Sequence, residues 1–432
     1  MKNYKLSVII PAYNSEKFIA ETLDCALNQT LKDVQLVIVN DGSTDSTADI
    51  IADYAKKHDN ILSINQPNSG VSDARNNGIR NAAGEYLLFL DTDDFFTPDS
   101  FELLCDKLDK TGADIAICRV QRFGYGGEEY NPIVDEFTKE DSLDCYDKRL
   151  LWNFLVSNKC YRTEWLKKTG IEFPKLRYSE DGAFFMQAVY RFPKITGVYG
   201  AVFRYRRHTP AEGSSVTQRI SYSLVSDFCK SLDTVYEAAK ASFEKSGCTC
   251  ADKDGYLQEI ITKAYTALVN EFYRLIWAAD DETCALMKKR CDYLFSLMTP
   301  ETRKKCKLNH KDISALIFDK KEIAEKAQIS VVAKHPTKEF IATLYAQSMP
   351  VFQLLTATEI NRENAKTLSA SNFKKYARKA AKSKTLITLS GKKPVDSRLL
   401  KVISLLRNSP KFRIFPNSII KLGAMIFLKF FR

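Results

Sequence analysis

Short apolar runs alternate with segments of helical periodicity over residues 1–120, and this alternation narrows the possible folds more than any other feature of the chain. Strands separated by helices are typical of a mostly parallel β-sheet whose faces are covered by the connecting helices. The pattern therefore predicts an α/β domain. Its predicted strands are 6–10, 34–39, 61–64 and 86–90.

Polar residues follow three of these predicted strands. Asn14 comes after Pro11, which we expect to end the first strand, Asp41 follows the second, and the fourth runs into an acidic cluster at 91–94 in YLLFLDTDDF. Ligands of open α/β sheets bind at the carboxyl ends of the strands. These residues are therefore expected to converge on one site.

The acidic cluster at 91–94 has two interpretations. No G-x-G-x-x-G or G-x-x-x-x-G-K-[ST] loop follows any predicted strand, which argues against dehydrogenases and P-loop enzymes. A diphosphate ligand would then need a divalent cation on oxygen ligands, and Asp91 and Asp93 are suited to hold one. Alternatively, the cluster is a turn and helix cap, and Asp41 before Gly42 is open to the same interpretation.

Four stretches of the chain, within residues 5–215, resemble the family 2 glycosyltransferases, which are GT-A fold enzymes of bacterial surface-polysaccharide synthesis. They are LSVIIPAYNSEKFIAETLDCALNQT, LVIVNDGSTDST, NSGVSDARNNGIRNAAGEYLLFLDTDDF and NKCYRTEWLKKTGIEFPKLRYSEDGAFF. The resemblance implies a Rossmann-like, mostly parallel GT-A domain that binds a nucleotide-sugar donor.

The resemblance also implies roles for individual residues. Asp41 would accept a hydrogen bond from the base, commonly uracil, and Arg75 would present a fixed positive fork near the diphosphate. Asp93 and Asp91 would contact Mn²⁺ or Mg²⁺, with His208 as a further metal ligand. The implied substrate-binding residues are Pro11, Ala12, Tyr13, Asn14, Asp41, Asp73, Arg75, Asp91, Thr92 and Glu180.

Asp181 in YSEDGAFF matches the family's catalytic base. A carboxylate there would take the proton of the attacking hydroxyl, and a single displacement would invert the anomeric centre. The like charge of Glu180 could raise the pKa of this base. On local sequence alone, Glu180 and Asp181 are a solvated helix start, and His208 after an arginine run is solvated surface.

Three regions are predicted along the chain. We expect a GT-A catalytic domain at 1–215, a helical domain at 216–370, because apolar residues recur at helical spacing from Ile220 onward, and a basic amphipathic tail at 371–432. The Gly-rich, acidic segment 123–144 is predicted to be a mobile loop or lid.

The tail carries the positive charge, because 16 Lys+Arg against Asp396 alone give it +15, whereas the first 370 residues carry −4 and the whole chain +11. The segment 419–431 is apolar and too short to span a bilayer, so it is expected to lie on an anionic membrane surface. Packing of this helix on the helical domain is the alternative. Nucleic acid is not expected as a partner, because no recognition fold accompanies the charge.

Eleven scattered cysteines without a Cys-x-x-Cys pair and the lack of a signal peptide predict a cytoplasmic protein, peripheral on the inner face of the cell membrane. The sequence thus predicts a metal-dependent glycosyltransferase acting on a glycan or lipid-linked acceptor. A non-catalytic GT-A module that recruits partners through its helices is the alternative. A nucleotidyltransferase is disfavoured by the missing lysine-bearing loop, and the oligomeric state stays open.

Overall fold

The computed structural model describes residues 4–124, 127–208, 221–273 and 281–304, together with five short strands beyond residue 330. The chain divides into two compact units. The first contains residues 1–215 and 226–260, and the second contains residues 216–225 and 261–432. The predicted boundaries at 215 and 370 stay predictions.

The first unit is built around one mixed β-sheet. Its strands are β1 (Leu6–Ala12), β2 (Val34–Asn40), β3 (Ile61–Asn65), β4 (Tyr86–Phe89), β5 (Phe95–Phe96), β6 (Ile115–Gly124), β7 (Glu129–Tyr130), β8 (Lys159–Arg162) and β9 (Ile195–Arg207). Among the described residues they form nine strands in the order β3-β2-β1-β4-β8-β6-β9-β5, with β7 paired to β6. The run from β3 to β4 is parallel, β8 is antiparallel to both neighbours, and β6 is parallel to β9.

Helices connect these strands. They are α1 (Ile19–Leu27), α2 (Thr47–Lys57), α3 (Val71–Asn81), α4 (Ser100–Thr111), α5 (Pro132–Phe137), a 3₁₀ helix (Lys148–Trp152), α6 (Thr163–Thr169) and α7 (Glu180–Val189). Every residue of β1, β2 and β4 is buried. Parallel strands covered on both faces read as continuous apolar runs, which is why their positions were predictable.

One predicted boundary near the first strand is wrong. Pro11 does not end β1, which continues to Ala12. The Ile9 carbonyl accepts the Leu90 N–H on the β4 side and the Ala12 carbonyl accepts the Asp41 N–H on the β2 side. Hydrogen bonding alternates along a strand, so Pro11 faces the side where β4 has already ended, and its missing N–H removes no bond there.

The predicted loop or lid at 123–144 is folded in most of its described part. It contains β7 and α5, and the α5 residues Val134 and Phe137 are buried. The Asn131 side chain accepts hydrogen bonds from the N–H groups of Ile133 and Val134. The glycine-rich composition concealed a helix start in which Asn131 caps and Pro132 occupies the first helical position.

Helices make up most of the described residues between 221 and 304, which confirms the predicted helical region after the sheet. They are α8 (Tyr222–Ser242), α9 (Lys253–Tyr273) and α10 (Asp281–Leu297). Short antiparallel strands follow, in which β10 (Val331–Val332), β13 (Leu386–Thr388) and β14 (Pro394–Val395) form one sheet and β11 (Phe340–Thr343) pairs with β12 (Gln353–Thr356). Among the described helices, none is both long and apolar enough to cross a membrane. The predicted tail helix at 419–431 lies outside the described residues.

Candidate active site

The ends of β1, β2 and β4 meet at one edge of the sheet. Ala12 pairs with Asn40 in the parallel register, so the residues following β1 and β2 lie side by side. Asn14, whose φ of 48° is left-handed, accepts the Thr44 N–H at 2.8 Å. From the end of β4, the Thr92 hydroxyl donates to the Ser15 hydroxyl at 2.8 Å. The predicted convergence of strand ends is thus present.

At the start of α1, the Ser15 carbonyl accepts backbone hydrogen bonds and the Ser15 side chain does not. That carbonyl accepts the N–H groups of Phe18 and Ile19, and the helix begins at Ile19. The Ser15 hydroxyl instead donates to the Tyr13 carbonyl at 3.2 Å. Pro11 and Ala12 are buried in β1, whereas the Tyr13 ring is half exposed. Tyr13 is therefore the member of this segment that offers an open aromatic face.

Asp41 is a buried carboxylate that anchors the loop before α3. One oxygen accepts the Ser69 N–H and the Gln66 amide, and the other accepts the Gly70 N–H, each at 2.8 Å. Gly70 precedes α3 with a φ of 93°, in the left-handed region that favours glycine. Asp41 thus fixes the start of the helix that carries Arg75. Its predicted contact with a nucleotide base stays a prediction.

Arg75 is the centre of the site. Its side chain is 4% exposed, and Nη1 donates to Glu180 Oε1 at 2.8 Å and to Asp181 Oδ1 at 2.7 Å. Nη2 donates to Asp91 Oδ1 at 2.9 Å. Burial opposes the charge of the guanidinium, but the three carboxylates outweigh it and raise the Arg75 pKa. Both terminal nitrogens are engaged with carboxylates here, so the predicted diphosphate contact of Arg75 stays a prediction.

Asp181 lies in the first turn of α7, which begins directly after Ser179, whose φ is 62°. Its Oδ1 faces Arg75, and its Oδ2 accepts the Val156 N–H at 3.4 Å. Burial raises the pKa of Asp181 to about 7; Arg75 opposes this shift, and Glu180 adds to it. A carboxyl group that ionises near neutral pH is suited to general base catalysis. The solvated-helix alternative does not hold, since Glu180 is buried.

The acidic cluster after β4 is tied to the end of β9. Asp93 Oδ2 lies 2.6 Å from His208 Nε2, and Asp94 accepts the Arg206 N–H at 2.7 Å. Burial raises the pKa of Asp93, which His208 opposes and Asp91 reinforces. Burial and the two neighbouring aspartates raise the pKa of Asp94 well above its usual range. His208 therefore belongs to this cluster and is not a solvated surface residue.

The donor set suits a divalent cation. In the part of the chain that the structure describes, no three His, Cys, Asp or Glu side chains enclose a metal position, because Asp91 faces Arg75 and Asp93 faces His208. The groups themselves, two carboxylates and an imidazole, match the preferences of Mn²⁺, and carboxylates those of Mg²⁺. Burial first, and the neighbouring aspartates second, raise the pKa of Asp93 and Asp94, and a bound cation would favour their ionised forms.

Asp73 lies close to Arg75 in the chain, but its ion pair is with Lys175. It occupies the first turn of α3, and its Oδ2 lies 3.4 Å from Lys175 Nζ. Negative charge in the first turn of a helix is favourable in itself. The substrate-binding role implied for Asp73 stays a prediction.

Residues outside the predicted set also organise the site. Arg206 Nε donates to the Asp93 carbonyl at 3.0 Å and Nη2 to Glu21 Oε2 at 2.8 Å. Lys159 is fully buried, and its charge interacts with that of Asp181. The arginine run RYRRH could have drawn attention to Arg206. Lys159 gave no such signal, because a lysine after a polar run normally reads as surface.

Comparison with known proteins identifies the family. A family model described as Glycosyl transferase family 2 matches residues 7–170. The glycosyltransferase EpsJ of Bacillus subtilis is 31% identical over 258 residues, which cover 58% of this chain and 72% of EpsJ. The chain belongs to glycosyltransferase family 2. The resemblance of the four sequence stretches to this family is therefore confirmed.

Two further relatives of this family 2 glycosyltransferase are longer proteins. The poly(ribitol-phosphate) beta-glucosyltransferase of Bacillus spizizenii is 31% identical over 55% of this chain and 37% of its own length. The poly(ribitol-phosphate) beta-N-acetylglucosaminyltransferase TarS of Staphylococcus aureus is 29% identical over 61% of this chain and 44% of its own. The match spans less than half the length of either relative.

Solved structures agree on the fold. Residues 1–349 of Staphylococcus aureus TarS, in complex with UDP-GlcNAc, align with a TM-score of 0.53 and 19% identity over 84% of this chain and 99% of that one. At this identity the likeness concerns the fold alone. It confirms the predicted GT-A architecture, with a mostly parallel sheet followed by helices.

Proposed function

We propose that this family 2 glycosyltransferase is an inverting, metal-dependent enzyme that transfers a sugar from a UDP-sugar to a hydroxyl group of a glycan or lipid-linked acceptor. The observation that carries the proposal is the Arg75 cluster. One buried guanidinium contacts Asp91 from the DxD stretch and Asp181 from the proposed base. Arg75 therefore links the residue proposed to act near the leaving group with the residue proposed to act on the attacking hydroxyl.

The donor is proposed to bind at the edge where β1, β2 and β4 end. Structures of TarS in complex with UDP and with UDP-GlcNAc support a uridine nucleotide as donor for a protein of this fold. The exposed ring of Tyr13 offers a face on which a base can stack. The other proposed donor-binding residues are Pro11, Ala12, Asn14, Asp41, Asp73, Arg75, Asp91, Thr92 and Glu180.

Asp181 is proposed as the catalytic base. A new bond forms between the acceptor oxygen and the anomeric carbon, and the bond from that carbon to the diphosphate oxygen breaks. The bonding electron pair leaves with the nucleotide, and the hydroxyl proton passes to Asp181. One displacement of this kind inverts the anomeric configuration. The Val156 N–H at Oδ2 and the Arg75 fork at Oδ1 hold the carboxylate in one orientation.

Asp91, Asp93 and His208 are proposed to hold Mn²⁺ or Mg²⁺. A bound divalent cation neutralises charge that develops on the departing diphosphate. Arg206 orients this end of the site, because it holds the Asp93 carbonyl and places its own N–H against the Asp94 carboxyl group.

The acceptor is proposed to belong to cell-surface polysaccharide synthesis at the cytoplasmic face of the membrane. The names of two relatives refer to poly(ribitol-phosphate), an anionic polymer, which supports an anionic acceptor. The basic tail at 371–432 would then bind anionic lipid. Removal of residues 411–432 should abolish sedimentation with phosphatidylglycerol vesicles, and unchanged sedimentation would remove the membrane proposal.

The decisive experiment compares Asp181→Asn with Asp109→Asn in the full chain. UDP release from a panel of UDP-sugars is measured with MnCl₂, with and without lipid-linked acceptor. Loss of a general base should lower kcat by about 10²- to 10⁴-fold. Asp109 pairs with Lys5 at the opposite edge of the sheet, so Asp109→Asn should retain kcat within about twofold.

Calorimetric binding of UDP with Mn²⁺ separates catalysis from recognition. Both variants should bind UDP like the wild type, because Asp181 is proposed to act on the acceptor. Wild-type protein that binds UDP but turns over no UDP-sugar would instead favour the non-catalytic binding module. Equal turnover by Asp181→Asn and wild type would remove the base assignment.

A further inference from the structure

Lys159, the first residue of β8, has no exposed surface. Its ammonium group donates to the Asn153 carbonyl at 3.1 Å, to Asn158 Oδ1 at 2.9 Å and to the Leu155 carbonyl. All three ammonium protons therefore go to acceptors within residues 153–158, which we call the base loop. The Lys159 side chain thus connects three residues of the base loop through hydrogen bonds.

The base loop packs directly on the first turn of α7. A Cβ atom at Gly182 would lie 2.5 Å from the Phe154 ring, so only glycine permits this approach. On the other side of the ammonium group, the Phe185 ring centre lies 4.1 Å from Lys159 Nζ. Lys159 thus lies between the loop and the helix that carries Asp181.

The base loop reaches Asp181 through its backbone. The Val156 N–H donates to Asp181 Oδ2, and the Val156 carbonyl accepts the Lys159 N–H at 3.1 Å. Val156 is therefore held within a turn that Lys159 closes with both its backbone and its side chain. A shift of this turn would move the donor that orients the second carboxylate oxygen of Asp181.

Burial disfavours the charge of Lys159, but that charge also interacts with Asp181. Burial lowers the pKa of Lys159 to about 7, and the negative charge of Asp181 opposes that shift. A neutral donor could satisfy the loop carbonyls without the penalty of burying a cation. What the ammonium group adds is a positive charge that interacts favourably with the carboxylate of the proposed base.

We infer that Lys159 is a positioning residue for Asp181, holding the base loop so that the Val156 N–H fixes the orientation of the carboxylate. The inference rests on the proposed role of Asp181 as the base. It concerns catalysis and not donor binding, because the hydrogen bonds and ring contact described for the Lys159 side chain are with the base loop and α7. Its loss should therefore lower kcat and leave donor recognition unchanged.

The test uses Lys159→Met, which keeps the length of the side chain but removes all three donors. The control is Lys167→Met, because Lys167 also donates to backbone carbonyls, those of Ala82 and Arg80, and lies outside the proposed site. Lys159→Arg restores a cation with several donors. UDP release from UDP-GlcNAc and UDP-glucose with MnCl₂ gives kcat and the donor KM, and calorimetry gives the Kd of UDP.

Lys159→Met should lower kcat by at least about tenfold, since small misplacements of a catalytic group have effects of this size. Donor KM and UDP Kd should stay within about twofold of wild type, and Lys159→Arg should recover at least about a third of the lost rate. Lys167→Met should match wild type in all three quantities.

Unchanged kcat in folded Lys159→Met overturns the inference while the proposed function stands. A parallel loss of kcat and UDP affinity, or failure of both Lys159 variants to fold, overturns it in favour of a purely structural lysine. Wild-type turnover in Asp181→Asn, measured alongside, shows instead that the proposed function has failed and the inference with it.

Discussion

Both ends of the central sheet carry networks of charged side chains, but only one network is balanced. At the amino ends of β1 and β4, Lys5 Nζ lies 2.7 Å from Glu85 and 2.8 Å from Asp109, and Arg162 lies 3.5 Å from Glu85. The Tyr86 hydroxyl donates to Asp109 at 2.6 Å. Two basic groups thus face two acidic ones.

At the carboxyl ends, negative charge exceeds positive charge. Arg75 alone is shared by Asp91, Glu180 and Asp181, and Asp93 and Asp94 follow Asp91 in the chain. Hydrogen bonds to Arg75 therefore cannot neutralise the whole cluster. This is the edge of the sheet at which the site is proposed.

The carboxyl groups respond in opposite directions at the two ends. At the amino end, burial acts to raise the pKa of Asp109, but the hydrogen bonds from Lys5 and Tyr86 prevail and lower it. At the carboxyl end, burial and like charges raise the pKa of Asp93 and Asp181. The fold stabilises ionised carboxylates at one edge and destabilises them at the other. Such destabilisation is characteristic of sites that bind cations or transfer protons.

The largest effect on stability is expected for Arg75→Met, which leaves three carboxylates without their shared partner. Removing one side of a buried ion pair costs about 3–5 kcal/mol of unfolding free energy. Arg80→Met on the same helix is the matched control, because Arg80 is 59% exposed and lies 3.4 Å from Glu172. It should cost less than about 1 kcal/mol. Urea denaturation of the three proteins measures both values.

A triple variant sharpens this prediction. Arg75→Met combined with Glu180→Gln and Asp181→Asn removes two of the stranded charges, so part of the stability lost in Arg75→Met should return. If Arg75→Met unfolds at the same urea concentration as Arg80→Met, the buried cluster is not the imbalanced network described above.

The pH dependence of catalysis follows from the raised pKa of Asp181. The proposed base acts only when ionised, so kcat/KM should rise tenfold per pH unit below about 7 and level off above it. Since Arg75 favours the ionised form, its removal should shift the rise to higher pH in any Arg75→Met protein that retains activity. The rate of UDP release is measured from pH 5.5 to 8.5, with UDP affinity followed over the same range. A flat profile across neutrality contradicts the assignment.

Three strands of the parallel half, β1, β2 and β4, were readable because they are buried on both faces. Continuous apolar runs and the polar residues that end them predicted both β1, β2 and β4 and their convergence. Pro11 and the α5 segment were misread for local reasons. The effect of a proline depends on which neighbouring strand its N–H would have faced. For α5, the glycine-rich composition of the segment indicated a loop, although Asn131 caps a short helix there.

The electrostatics of the site could not be read in the same way. Arg75 lies 105 residues from Glu180 and 106 from Asp181 along the chain, and nothing local pairs them. The donor to Asp181 Oδ2 is the backbone of Val156, which carries no side-chain signature. Lys159 is buried against the usual preference of lysine, which only tertiary packing reveals.

The smallest effect is expected at the balanced edge, where Lys5→Met removes one partner of two partly exposed carboxylates. Exposed ion pairs contribute about 0.2–1 kcal/mol, and salt weakens them because solvent and counterions reach both partners. The cost of Lys5→Met should therefore be below about 1 kcal/mol and should shrink further as NaCl is raised from 50 mM to 1 M. Arg75→Met should keep most of its cost at 1 M NaCl, because the Arg75 pairs are buried and screened far less. Equal salt sensitivity of the two variants would mean that solvent reaches both networks alike, and the contrast between the two edges would then be one of charge count alone.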